Sequence, residues 1–238
     1  VAIVALAFAL AGCASGEVAP DRGDLIGALL KSTAQLRTER EGGAQRAASG
    51  VVLAADAKTR RAWILTARHV FDPPHAQQVY VRLPGREPVV QGSIAFVSLD
   101  LDIAIVEAQP LDATPIRIKR AARLGDEVLV IAFPWGQRFT VVRGAVSQIT
   151  SPMDTLISGS PRMIDASVSY GSSGGGVFDA RTGELIGIVE GHRTVRVTVP
   201  EARDRPLELP VAGETNLIPA AAILHFLTES GLTDFLPK

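Results

Sequence analysis

Cysteine is almost absent, with Cys13 the only one in 238 residues. An internal disulfide is thereby excluded, and so is a cysteine-rich zinc site. Charge of one sign is missing too: the formal net charge is -1, which leaves no electrostatic footprint for nucleic acid. The N-terminal apolar run Val1–Leu10 falls short of the roughly 20 residues that a membrane-spanning helix needs. Aromatics make up only 5% of the chain, and no repeat array or low-complexity tract interrupts it. The four histidines (His69, His75, His192 and His225) have no ligand-like spacing, so no metal and no cofactor is expected. What remains is rich in Val, Ile, Leu and Ala, with Gly 22 and Pro 15. That composition favours many turns and short strands over long helices, in one large domain or two small ones.

The N-terminus reads as an export signal. Val1–Leu10 has the character of an h-region and ends in small residues directly before Cys13. Leu10-Ala-Gly-Cys13 resembles the lipobox of bacterial lipoproteins, which implies cleavage after residue 12 and acylation of Cys13. No Met or basic n-region precedes Val1, so the sequence is expected to start inside the signal. Residues 13–24 then form a short tether, whose stretch Ala14–Asp24 reaches at most about 35 Å. The resemblance implies an exported protein anchored to the bacterial cell envelope, the periplasmic face of the outer membrane being the expected site. Several acyl chains would be needed for stable anchoring.

Residues 25–238 read as the folded part. Leu25–Leu36 starts as a short helix and feeds a strand. Gly42-Gly43 marks a hairpin turn with Arg46–Leu53 as the return strand. Further strands are expected at Ala62–Thr66, Val79–Leu83, Val89–Val97 and Ile103–Val106. Pro110–Pro115 reads as a connection between two halves. Strands follow at Glu127–Ala132, Phe139–Ile149, Met163–Ser167, Gly176–Phe178, Leu185–Glu190 and Thr194–Val199, and Pro200–Pro210 reads as an excursion loop. Regular short strands with turn signals point to an all-β barrel or sandwich. Pro219 followed by Ala-Ala-Ala-Ile-Leu opens one C-terminal helix, with Gly231 as its C-cap.

Chemistry concentrates around Gly171-Ser-Ser-Gly-Gly-Gly176. Glycine gives up the most backbone freedom on folding, so a triplet between core-like strands needs a reason. One such reason is a serine presented with backbone N–H groups converging on one point, as acyl transfer requires. Either serine fits by type, and spacing to Gly174-Gly175 favours Ser173. A serine hydroxyl needs a base, usually a histidine oriented by a carboxylate. His69 stands where an apolar strand breaks into a turn, whereas His75 lies in a Pro-Pro-His-Ala loop and His225 on the helix. His192 could line a pocket. Asp102 directly precedes the apolar run Ile103–Val106, and Asp100 is its competitor.

Thr66-Ala-Arg-His69, Asp102-Ile-Ala-Ile105 and Gly171-Ser-Ser-Gly-Gly175 together resemble the three motifs of the chymotrypsin-fold serine proteases, in that family's chain order. The gaps are 33 and 71 residues. The HtrA/Deg branch is the most similar, echoed by Ser49-Gly-Val-Val52, Phe133-Pro-Trp-Gly136 and Gly183-Glu-Leu-Ile-Gly-Ile188. This resemblance spans roughly residues 33–230 and does not extend to a PDZ domain. It implies two antiparallel six-stranded β-barrels packed together, at about residues 30–110 and 115–218, with a helix at about 219–230. It also implies a serine endopeptidase acting on polypeptides. Ser173 would be the nucleophile, His69 the base and Asp102 its orienting carboxylate, with the N–H groups of Gly171 and Ser173 as the oxyanion hole. Three positions depart from the pattern: Ser172 replaces Asn, Gly176 stands where Pro is common, and Arg68 replaces a small residue.

By position, Ser167, Val189, Glu190 and Gly191 should line the primary pocket. Ser167 is uncharged, which favours small or medium apolar side chains over Arg or Lys. Two rival readings are open. Gly171-x-Ser-x-Gly175 also fits the nucleophile elbow of α/β-hydrolases, which demands a helix directly after the serine. A protease fold without catalysis would serve only as a binding module.

Overall fold

The computed structural model describes residues 21–40, 42–72, 77–85, 88–150, 157–198 and 207–233. Cys13, the apolar run before it, His75 and Pro73-Pro74 lie outside these residues. The described chain opens on α1 (Arg22–Leu30), where the Asp21 carboxylate accepts the Gly23 N–H at 3.0 Å and so satisfies one of the first-turn donors. The helix takes in the last three residues of the expected tether and buries Leu29.

Six strands follow: β1 (Thr33–Arg40), β2 (Gln45–Asp56), β3 (Arg61–Ala67), β4 (Gln77–Arg82), β5 (Val90–Val97) and β6 (Ile103–Ala108). They close into a barrel in the order β1-β2-β3-β6-β5-β4, every pairing antiparallel. Next come the short β7 (Ala122–Arg123), then β8 (Glu127–Ala132), β9 (Thr140–Thr150), β10 (Ser158–Ile164), β11 (Gly176–Asp179), β12 (Leu185–Val197) and β13 (Leu207–Pro219). The order β13-β12-β11-β8-β9-β10 closes into a second barrel through the β10–β13 pairing, and β7 adds to β10. The last described helix is α2 (Ala220–Glu229), which begins directly after Pro219 as its sequence indicates. The expected all-β fold of two six-stranded barrels with a C-terminal helix is thus what the chain adopts.

Several elements differ from the sequence expectation: the strands expected separately at Leu185–Glu190 and Thr194–Val199 are joined in β12, and β7 was not expected. The loop expected over Pro200–Pro210 is shorter, because Leu207 pairs with Val197 and Leu209 with Val195. The same ribbon continues through β13, which no local pattern announces, to Pro219. Strand β10 lies at Ser158–Ile164, upstream of the expected Met163–Ser167.

The alternation of side chains across each strand explains how the barrels meet. In β2, Ala48 and Val52 fill the first barrel while Val51 and Leu53 point the other way. In β3 the same split separates Ile64 from Leu65, and in β6 Ala104 and Val106 from Ile103 and Ile105. The second barrel mirrors it: Val128, Val130 and Val177 lie inside, with Leu129, Ile131 and Phe178 outside. The outward sets pack on one another and on Leu29, Ile223, Phe226 and Leu227 of the helices. Strands buried on both faces read as unbroken apolar runs, and that inter-barrel core fixes the cleft between the two halves.

Gly176, where Pro is common in the family, belongs to this core as the first residue of β11. A Cβ there would run into the Phe178 ring, two residues along the same strand, and into Val51 of the other barrel. Proline in the same place would collide in the same way.

Candidate active site

His69 leaves β3 on a 3-10 turn (Arg68–Phe71) that is pinned by buried Val70 and Phe71, so the imidazole is left in the cleft. Asp102 stands immediately before β6, the strand paired with β3. Its Oδ1 accepts the backbone N–H of His69 at 2.7 Å, and its Oδ2 lies 2.6 Å from His69 Nδ1. One carboxylate therefore holds both the main chain and the ring. It also fixes the tautomer: Nδ1 carries the proton, and Nε2 is the acceptor that lies 2.9 Å from Ser173 Oγ. The bond to Asp102 raises the His69 pKa above its ordinary value, against the opposing effect of partial burial.

Asp100, the rival carboxylate, is exposed and stands outside this hydrogen-bonded set. Arg68, the residue that departs from the family pattern, donates to the carbonyls of Ser98 and Leu99 at 2.9 Å each. It thereby braces the loop that delivers Asp102.

Ser173 sits in the loop between β10 and β11. Gly175 N–H bonds the Ser172 carbonyl at 2.8 Å, and Ser172 N–H bonds Ser169 at 3.0 Å, forming two consecutive tight turns. Gly174 N–H reaches Val189 of β12 at 2.8 Å, and the Ser173 carbonyl accepts the Ser49 N–H of the first barrel at 2.9 Å. Gly174 must be glycine: its φ is +80°, and a Cβ would meet the Ser49 carbonyl and Thr66 Oγ1. Ser172 is buried, with its Oγ near the Ser169 N–H at 3.4 Å, so the serine facing His69 is Ser173.

The Tyr170–Gly171 peptide is oriented by its carbonyl, which accepts the Trp135 N–H at 2.7 Å. In a trans peptide the C=O and N–H point in opposite directions, so the Gly171 N–H is turned away from Trp135. Among the described residues neither it nor the Ser173 N–H has a protein acceptor. Gly171 holds φ +90°, and Trp135 itself stands at φ +56°, a conformation that costs a non-glycine residue energy. Ser49 completes the brace. Fully buried, it accepts the Phe133 N–H at 2.8 Å and donates to the Gly171 carbonyl at 2.7 Å.

A cleft of about 900 Å³ opens over these groups, lined among others by His69, Ser173, Val189, Glu190, Gly191 and His192. Ser167 is not part of it. It lies beside a separate small cavity with Ser169 and Ser172, where its Oγ accepts the Gly213 N–H at 3.3 Å. Glu190 is half-buried near Asp102 and His69. Burial and the nearby Asp102 charge push its pKa up, partly offset by Arg162 and His69. His225 is exposed on α2, away from these residues.

Comparison with known proteins now decides the family. Residues 48–188 match the model of the trypsin-like peptidase domain. The chain belongs to the trypsin-like peptidases. This peptidase domain is 28% identical over 179 residues to the chloroplastic Protease Do-like 2 of Arabidopsis thaliana, covering 70% of this chain and 26% of that protein. It is 30% identical over 143 residues to the serine endoprotease DegS of Haemophilus influenzae, covering 59% of this chain and 40% of that one. A probable periplasmic serine endoprotease, DegP-like, of Pseudomonas putida is 30% identical over 157 residues, which is 64% of this chain and 30% of the relative. The matched region thus spans about a quarter to two-fifths of these relatives' length. Among solved structures, the serine endoprotease of Yersinia pestis superposes with a TM-score of 0.65 at 22% identity, covering 92% of this chain and 69% of its own. Rv3671c of M. tuberculosis H37Rv, in an inactive form, gives 0.63 at 20%, covering 90% and 93%. These two likenesses concern the fold.

The structure adds residues to the site that single-sequence reading did not assign. Ser49 appears in the sequence only as a family echo, yet its hydroxyl ties the first barrel to the Phe133 N–H and the Gly171 carbonyl of the second. Trp135 could have been flagged by the Pro-Trp-Gly turn, but its bond to Tyr170 joins residues 35 apart in sequence. No local signal announces that pairing. The nucleophile-elbow reading is excluded by the fold, since strand β11 and not a helix follows Ser173.

Proposed function

We propose that this peptidase domain is a serine endopeptidase that cleaves polypeptides through an acyl-enzyme. The observation that carries the reading is His69 set between Asp102 Oδ2 at 2.6 Å and Ser173 Oγ at 2.9 Å. In the proposed mechanism His69 Nε2 takes the Ser173 proton as Oγ attacks the scissile carbonyl. Asp102 stabilises the imidazolium that results. The N–H groups of Gly171 and Ser173 bind the developing oxyanion, the largest single contribution in sites of this kind. His69 then protonates the leaving amine, and a water, activated by the same nitrogen, hydrolyses the acyl-enzyme.

The acyl half of the substrate is assigned to the wall formed by Val189, Glu190 and Gly191. Val189 and Gly191 of that wall support small or medium apolar residues at the scissile position. Polypeptide substrates in the cell envelope, in processing or quality control, agree with the periplasmic naming of the DegP-like relatives. Anchoring through an acylated Cys13 rests on the lipobox alone.

A fluorophosphonate probe is expected to label the protein, and Ser173→Ala to abolish labelling while Ser172→Ala keeps it. Loss in Ser172→Ala with retention in Ser173→Ala would overturn the assignment. For the anchor, incorporation of labelled fatty acid into the full-length protein should vanish with Cys13→Ala.

A further inference from the structure

The two walls of the cleft differ in charge. Among the described residues that line it, Glu190 is the only carboxylate, whereas Arg37, Arg46 and Arg82 all line it from the first barrel. Strand register places two of these on one outward face: Gln35 pairs with Arg82, and Arg37 pairs with Tyr80 on one side and Ala47 on the other. Leu36 and Val81 between them point into the barrel and are fully buried. Alternate residues share a face, so Arg37 and Arg82 are held on a rigid sheet rather than on a loop.

Arg37 is exposed, and its guanidinium lies over the Tyr80 ring, 4.9 Å from the centroid. Stacking of this kind orients the cation and leaves its N–H edge available. Arg46 stands closest to the chemistry, donating to the carbonyls of His69 at 3.2 Å and Asp72 at 2.9 Å. No carboxylate among the described residues pairs with Arg37 or Arg46. A concave site with cations on one wall raises the local concentration of anionic groups.

The chemistry says which half of a substrate meets this wall. His69 must hand its proton to the leaving amine, so the leaving half lies over His69. His69 is carried by the first barrel, and Arg46 holds its carbonyl. We propose that the Arg37–Arg46 wall is a subsite for an acidic side chain, Asp or Glu, within about three residues after the scissile bond, a reach set by the span of an extended chain. The proposal rests on the peptidase reading and adds a substrate class to it.

The test begins with a peptide library digested by the wild-type protein, with the cut sites sequenced. Asp and Glu are expected to be enriched in the first three positions after the cut. Two peptides built from one such site, differing only in Glu or Lys at the enriched position, should then differ about fivefold or more in kcat/KM, the scale of one exposed ion pair. The preference should collapse near 1 M salt, where screening acts over about 3 Å, and Arg37→Glu should reverse it. Fluorophosphonate labelling of the wild type separates the two readings. A labelled protein that cuts both peptides equally, or whose preference survives high salt, overturns the acidic subsite alone. A protein neither labelled nor active overturns the peptidase reading and this one with it. Because the salt series needs no variant, a misfolded Arg37→Glu leaves the outcome decided.

Discussion

The two barrels contribute to the site in different ways. The first supplies side chains: His69 and Asp102 stand at the ends of paired strands β3 and β6, and one carboxylate fixes both the ring and the main chain of the histidine. The second supplies backbone: Ser173 and the amides of its loop, set by tight turns and by peptides that glycine alone can form. The first arrangement is local to one sheet. The second depends on the other barrel, because Ser49 holds the Gly171 carbonyl and the Ser173 carbonyl at once. The Ser173 loop is therefore a tertiary product, while His69 and its carboxylate Asp102 belong to one barrel's own register.

That contrast can be broken in order of effect. Ser173→Ala removes the proposed nucleophile, and kcat in a peptide assay should fall by about 10⁵–10⁶, by analogy with serine proteases in general. Melting temperature should stay near wild type, since Ser173 is not part of the core. Asp102→Asn probes the side-chain half. Here kcat should drop by about 10⁴ as His69 loses its tautomer. The pH profile sharpens the point. His69 must be neutral to act, and its pKa is raised by Asp102, so wild-type kcat/KM should climb with pH through a value above the ordinary 6.5. In Asp102→Asn the residual activity should climb at lower pH, and an unmoved limb would detach His69 from Asp102.

Ser49→Ala probes the backbone half. It leaves the Phe133 N–H and the Gly171 carbonyl without their partner, which should cost about 1–3 kcal/mol of stability in denaturant unfolding. Fluorophosphonate labelling should slow by about 10- to 100-fold, somewhat less than removal of an oxyanion donor. Unchanged labelling would mean that the turn of the second barrel orients its own peptide without help.

The smallest effect is expected far from the cleft, at Lys119. Its ammonium lies 2.5 Å from the Asp179 carboxylate, which ends β11. Burial pushes the Asp179 pKa up, but Lys119 and the amides of Arg181 and Thr182 outweigh it and hold the pKa below the ordinary value. That contribution to stability is present above the unfolded pKa, near 3.9, and is lost as pH falls through the lower folded value. Lys119→Ala should cost about 1–2 kcal/mol, since the lysine is partly exposed. Its stability difference from wild type should shrink in acid, and catalysis should be untouched.

Much of this was readable in the chain because the relevant signals are local. Gly42-Gly43, the strand Glu127–Ala132, and Pro219 before an alanine run each set their element through propensity or turn chemistry, and the structure places them there. The three motifs stood out because residue type and order restrict chemistry sharply. Strand β13 was not readable in this way. Leu207–Pro219 mixes charges, glycine and two prolines, and it becomes a strand only by pairing with β12 and β10. Glu190 was similarly ambiguous, since a β-bulge between Val189 and Gly191 decides where its side chain goes.

By itself, then, the sequence determined most of the strands, the terminal helix and the candidates His69, Asp102 and the serine pair Ser172–Ser173, because these follow from periodicity, backbone preference and functional-group chemistry. Tertiary structure decided the rest: that Ser173 and not Ser172 faces the imidazole, that Trp135 and Ser49 hold the two peptides that flank the Gly171 Cα, and that Arg37 and Arg46 line the cleft from the first barrel while Glu190 lines it from the second. Those outcomes join residues from two barrels. Their cause is the shared inter-barrel core, which fixes distances that no stretch of chain contains.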